Sequence, residues 1–224
     1  MASLGLEVLF KGKNFLRLLT GLWVAVRISL ISVAISIVLG VFLGMLLGSR
    51  SRLLRGAFRL YLETVRIMPQ MVLLFVVYFG TTRVFGWNLN AEAAAIFVFS
   101  FWGTAEMADL VRGALQSIPL IQRESAQALG MKPLQVYTLV ILPQAVRRLI
   151  PLSINLITRM IKTTSLVMMI GIVEVLKVAQ QIIEANRKTA PNAAFVVFAV
   201  VFLMYFLICW PIGSLAGYLE KRWS

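Results

Sequence analysis

Histidine is absent from the 224-residue chain, and cysteine occurs once, at Cys209. The first absence removes the one side chain that titrates near neutrality unaided, and with it the commonest general base and metal ligand. A lone cysteine in an apolar run supports neither a disulfide framework nor a thiolate metal site, and reads as a small buried hydrophobe. No metal site is expected. Charge is scarce as well: 14% of residues are Asp, Glu, Lys or Arg, where a soluble domain carries about 25%. Acids are rarest, 9 against 22 Lys and Arg. What fills the chain instead is apolar, 60% of residues, with a mean hydropathy of +0.88. That balance belongs to a bilayer.

The net charge of +13 would suit nucleic acid if it were gathered on one face or tail. Here the basic residues are dispersed between apolar segments, as expected where they collect in cytoplasmic loops and beside anionic headgroups. Membrane lipid is therefore an expected partner and nucleic acid is not. No Gly-rich phosphate loop is present, so the chain is not expected to hydrolyse ATP. Residues 1–20 carry Lys11, Lys13 and Arg17 among Leu and Phe, and read as an amphipathic surface segment before a retained helix rather than a cleavable signal.

A spanning helix needs about 20 mostly apolar residues. Five segments qualify, near 22–48, 57–82, 91–115, 142–173 and 193–218, so the expectation is an all-α integral membrane protein forming a single transmembrane domain over 1–224. In the first, Gly40, Gly44 and Gly48 recur at every fourth position and leave one face small enough for close helix packing. Pro69 kinks the second. The fourth contains Arg159 and Lys162 and is expected to be broken. Residues 174–191 read as a polar loop with some capacity for helix. An odd number of spans puts the termini on opposite sides. Assigning the basic loop 50–59, the loop 116–141 with the adjoining Arg112, Arg147 and Arg148, and the C-terminus to the cytoplasm places 11 basic residues there against 7 on the other side, which favours an outside N-terminus.

Ionisable groups inside spans are costly and either pair or face a cavity. Glu63 with Arg66, and Asp109 with Arg112, are three apart and share helical faces; Glu63 and Arg66 either pair within the helix or bind across to a neighbouring one, and Glu63, Asp109 and Arg112 are expected in structural ion pairs. Glu106 lies about two thirds of the way down the third span at 1.5 Å per residue. It either pairs with Lys162, Arg159 or Arg66, or lines a pathway as a counter-charge for a cationic group. Lys162, Arg66 and Ser165 join it as pathway candidates.

The most informative stretch is the polar island at 123–143. Glu124 is followed by Ser125 and Ala126, then Ala128, Gly130 and, further on, Leu142-Pro143. The segment has helix formers up to a glycine stop. It resembles the EAA loop of the permease subunits of ABC importers: Glu-Ala-Ala, three residues, Gly, nine residues, Ile, one residue, Leu-Pro. Ser125 replaces the first Ala and Val140 the Ile. Further stretches resemble the polar amino-acid uptake subfamily (the histidine, glutamine, glutamate and arginine type): Gly21 to Leu30, Tyr61 to Arg66 before Pro69, Asp109 to Gly113 with Gln116 to Pro119, and Lys162 to Leu166. Ile67-Met68 stands where that subfamily has Gly-Thr, and Thr163 where it has Asp.

The resemblance implies a type I importer permease fold with a cytoplasmic coupling helix, in a prokaryotic inner membrane. It implies that Glu124, Ser125, Ala126, Ala128, Gly130 and Pro143 serve coupling. It also implies two ABC ATPase subunits carrying ATP and Mg, a second permease copy or paralogue, and an extracytoplasmic solute-binding protein. This chain itself would bind no cofactor. A stand-alone secondary carrier and an integral membrane enzyme are the competing readings; the missing histidine weighs against the enzyme, and no inverted repeat is visible for the carrier.

Overall fold

The structure, a computed structural model, describes residues 6–47 and 52–223, with the backbone alone for Phe85. The described residues are helical apart from turns and short connections. In order they form α1 (Leu6–Phe10), α2 (Asn14–Leu46), α3 (Arg52–Ile67), α4 (Gln70–Phe75), α5 (Thr81–Phe85), α6 (Ala91–Gln116), α7 (Leu120–Ala128), α8 (Pro133–Gln135), α9 (Leu142–Thr163), α10 (Val175–Ala185) and α11 (Ala193–Trp223). Wide π turns fill Val76–Gly80 and Val136–Ile141, and a 3₁₀ segment fills Thr164–Ile170.

Among the described residues four stretches are long and apolar enough to cross a bilayer: Asn14–Leu46, Ala91–Gln116, Pro133–Ile170 and Ala193–Trp223. The pair Arg52–Ile67 and Gln70–Val84, broken at Met68 and Pro69, makes a fifth if counted as one span. Proline favours the break because its ring disfavours helical geometry at the preceding residue. The chain separates into two compact units. One takes the chain up to Ser32, Gln70–Phe99 and Arg159–Pro211; the other takes Val33–Pro69, Ser100–Thr158 and the chain from Ile212.

The first unit is built on an apolar cluster of Val8 and Leu9 from α1, Leu18 and Leu22 from α2, four residues of α10, and α11 from Ala193 to Met204. This explains why α2 starts at Asn14 rather than near Leu22: Leu18 is fully buried in the cluster, and Arg17 donates to Gln181 at 2.6 Å. It also gives a cause for helix within 174–191, read above as a polar loop with some capacity for helix. Val175, Val178, Ala179 and Ile182 fall at i, i+3, i+4 and i+7, and all four are buried. The stripe is narrow, and the glutamines and charges between its members conceal it.

In the second unit the small face of α2 meets α6. A Cβ built on Gly40 would lie 2.7 Å from Met107 Cγ, and one on Gly44 2.7 Å from Val111 Cγ1. The glycines therefore let two backbones approach to a distance that any side chain forbids. In lipid, where apolar side chains gain little by leaving their solvent, such close packing is a principal source of helix association. Gly48 and Arg50, the remaining members of the small face and of the basic loop, lie outside the described residues.

The interruption of the fourth span is a change of winding rather than a gap. Hydroxyls of Thr163, Thr164 and Ser165 donate to the carbonyls of Arg159, Ile161 and Lys162 at 2.9, 2.6 and 2.9 Å. Such back-bonding competes with the backbone ladder and bends helices. The tighter segment then ends at Gly171, whose φ of 90° only glycine adopts freely.

Candidate functional site

The island at 116–143 lies in the second unit, and its spacing has a local cause. Pro119 is extended, φ −58° and ψ 139°, and opens α7. At the other end Gly130 takes φ 79°. Its N–H donates to the Gln127 carbonyl at 2.9 Å, and the Met131 N–H reaches back to the Ala126 carbonyl at 3.2 Å. This is the Schellman arrangement, which satisfies carbonyls that a helix end otherwise leaves open. The distance from Ala126 to Gly130 in the motif is thus the distance from the third-last helical residue to the left-handed position. Ala126 is the one buried side chain of α7. Glu124, Ser125 and Ala128 are exposed, as are Leu120, Ile121 and Leu129.

Beyond the cap, Pro133 begins α8, where its missing N–H costs nothing. The Gln135 side chain accepts from the Lys132 N–H at 2.9 Å. The π turn Val136–Ile141 then runs directly into Leu142 and Pro143. Pro143 has no N–H for the Leu139 carbonyl, and its ring would crowd that carbonyl in an α-helix; the wider turn relieves both. A cleft of about 760 Å³ opens here, lined among others by Met45, Arg123, Gln127, Tyr137 and Ile141.

Four charged residues of the second unit, Glu106, Arg66, Asp109 and Arg112, form one chain of contacts. Arg66 on α3 donates through Nε to Glu106 at 3.1 Å and through Nη1 to Asp109 at 2.9 Å, both on α6. Arg112 donates to the other Asp109 oxygen through Nε at 3.1 Å and Nη2 at 2.5 Å, and through Nη1 to Gln116 at 2.8 Å. The side chain of Glu106 is 12% exposed and that of Asp109 24%, whereas that of Arg66 is 46% exposed. The acids are shielded and the bridging base is about half exposed, so the pairing offsets the cost of holding ionisable groups in a span. Glu63 pairs within its own helix. It accepts from Arg59 at 2.8 Å, four residues back, rather than from Arg66. Both spacings are sterically open on a helix, and Arg66 is engaged across to α6.

Lys162 and Ser165 belong to the first unit, and Glu106 and Arg66 to the second. They border a hollow of about 320 Å³ with Leu176, Phe198, Phe202 and Tyr205. Among the described residues no three His, Cys, Asp or Glu stand together as a metal site would require.

Two residues of the first unit were not singled out by sequence. Glu174 is the one fully buried acid among the described residues. Its carboxylate caps α10, accepting from the N–H groups of Leu176 and Lys177, each at 2.9 Å. Burial raises its pKa, and the two backbone bonds act in the opposite direction. Gly21 faces this cap: a Cβ there would lie 2.7 Å from the Val175 nitrogen and 2.8 Å from the Glu174 carbonyl carbon. An acid placed immediately before the stripe of α10 was a readable N-cap signal. No local signal marks Gly21.

Comparison with known proteins bears on this arrangement. The chain is 29% identical over 203 residues to the "Probable glutamine ABC transporter permease protein GlnP" of Bacillus subtilis (strain 168), covering 90% of this chain and 91% of that protein. It is 30% identical over 207 residues to the glutamate transport system permease protein GluD of Corynebacterium glutamicum, covering 92% and 74%. The structure titled "Crystal structure of an amino acid ABC transporter with histidines" superposes with a TM-score of 0.84 at 24% identity, over 94% of this chain and 95% of that one, so the type I importer permease fold is shared. Residues 40–224 match the model of the family described as "Binding-protein-dependent transport system inner membrane component", and the chain belongs to that family.

Proposed function

We propose that the chain is the membrane-spanning subunit of an ATP-driven importer that admits a polar amino acid delivered by an extracytoplasmic solute-binding protein. The observation that carries this reading is α7. It is a short capped helix, anchored by Ala126 alone and otherwise exposed, with the motif positions Glu124, Ser125, Ala126, Ala128 and Gly130 all on it or on its cap. Its exposed Leu120, Ile121 and Leu129 suit the groove of an ABC ATPase, which would hold ATP and Mg. Pro143 and the π turn join this helix to the fourth span, so a displacement of α7 passes into the spans. Two copies of the chain, or one copy and a paralogue, would form the pathway with two ATPases.

The substrate class is supported by the glutamine and glutamate permeases to which the chain is similar. Glu106, Arg66, Lys162 and Ser165 are the pathway candidates, and Glu63, Asp109 and Arg112 hold structure through their ion pairs. The chain would sit in a prokaryotic inner membrane with its N-terminus outside and its C-terminus in the cytoplasm.

The test is reconstitution in proteoliposomes with the cognate ATPase and binding protein. The expected result is ATP-dependent uptake of a polar amino acid, lost when Glu124 and Leu129 are both replaced by Lys while the complex inserts normally. Uptake without the ATPase, or unchanged uptake in that variant, overturns the reading.

A further inference from the structure

We propose that the arginine-lined cleft beside α3 binds the phosphate of an anionic phospholipid headgroup. The cleft, about 590 Å³, lies in the second unit, and Arg52, Arg55, Arg59, Arg66 and Arg112 line it. Its carboxylates are Glu63 and Asp109. Five positive charges thus face two negative ones. The pairings leave the surplus in one place: Arg59 is held by Glu63, Arg66 by Glu106 and Asp109, and Arg112 by Asp109. Arg52 and Arg55, at the start of α3, form no ion pair with any described carboxylate. The positive end of the helix dipole adds to their field.

Residues 52, 55, 59 and 66 fall on one face of α3 at helical spacing. The adjoining face carries Leu53, Leu60 and Ile67, seven residues apart, with relative exposures of 84%, 67% and 80%. A basic stripe beside an exposed apolar stripe, on a helix that begins a span, fits a molecule with a phosphate head and hydrocarbon chains. A free anion would leave the apolar stripe without a function. Basic pockets between spans hold anionic headgroups by the same electrostatics.

Native mass spectrometry of the purified full chain in mild detergent tests this, with phosphatidylglycerol, phosphatidylcholine and inorganic phosphate as probes. The wild type should retain phosphatidylglycerol over phosphatidylcholine. At roughly fivefold per basic residue, R52Q/R55Q should weaken phosphatidylglycerol binding about 25-fold at low salt and leave phosphatidylcholine unchanged. R52K/R55K should keep most of the binding, because charge and not the guanidinium shape is required. L53Q/L60Q should weaken the lipid, and R187Q/K188Q, an equal charge change elsewhere, should not. Equal retention of both lipids, loss in R52K/R55K, or equal loss in R187Q/K188Q overturns the proposal. Inorganic phosphate binding as tightly as phosphatidylglycerol overturns it too, in favour of a soluble anion.

Discussion

Replacing Gly21 with Ala adds one methyl group where the structure has no room for it. The new Cβ would sit 2.7 Å from the Val175 nitrogen, 2.8 Å from the Glu174 carbonyl carbon and 2.9 Å from Val175 Cα. Ordinary contact starts at 3.4 Å, so backbone must retreat by about 0.7 Å. These are main-chain atoms, and they are fixed from both sides. The Glu174 carboxylate is tied to two N–H groups of α10, and Val175 is fully buried in the apolar cluster. Overpacking of this kind costs about 1–3 kcal/mol. Alanine's better helix propensity returns up to about 1 kcal/mol, which leaves a net loss of up to about 2 kcal/mol.

Gly113→Ala supplies the comparison. Gly113 lies inside α6 with nothing within 4 Å of the new Cβ, so only the propensity gain remains. Thermal unfolding of the purified protein in detergent, followed by circular dichroism, should therefore show Tm falling by a few degrees for G21A and holding or rising for G113A. A Tm for G21A at or above the wild-type value refutes the close-approach argument.

Gly130→Ala forces an L-residue into the left-handed region at about 1–2 kcal/mol; Gly130→Asn should cost less, and the ratio of transport to ATP turnover should follow that order. Arg66→Gln and Glu106→Gln should be non-additive, with a coupling energy of about 0.5–3 kcal/mol in a double-mutant cycle of unfolding; additivity would mean that the 3.1 Å contact contributes nothing. Glu174→Ala removes the acceptor for two N–H groups and should cost about 0.5–2 kcal/mol of stability, with earlier amide exchange at Leu176 and Lys177 as the local sign.

The elements most legible in the sequence were those with a local cause. The motif from Glu124 to Gly130 could be read because a helix end, a left-handed glycine and the residue between them all lie within one turn. Four spans, and a fifth if the bent pair around Pro69 is one, were legible because each is a composition, not a fold. Pro69 announced its own break. Partners were less legible. Glu63 has a base on either side at helical spacing, and only the reach of Arg66 across to α6 decided for Arg59. Gly40 and Gly44 showed a small face but not which helix would meet it. Gly21 showed nothing, since its constraint is a backbone far away in sequence. The helix α10 was legible only as a capacity for helix, because four apolar positions among glutamines and charges look like a loop until a neighbouring cluster gives them somewhere to go.

Glu106, Arg66, Asp109 and Arg112 alternate in sign and together sum to zero. Such a set has no monopole: its potential falls off faster than that of a single ion, within a distance comparable to its own size. Beyond roughly 8 Å, where physiological salt screens even a lone charge, a passing ion feels little from it. Neutralising any one member changes this, because an uncompensated charge then projects into its surroundings from a partly shielded site. Single neutral substitutions along this chain therefore perturb more than the contact they delete, whereas exchanging the two members of an opposed pair leaves the far field nearly as it was.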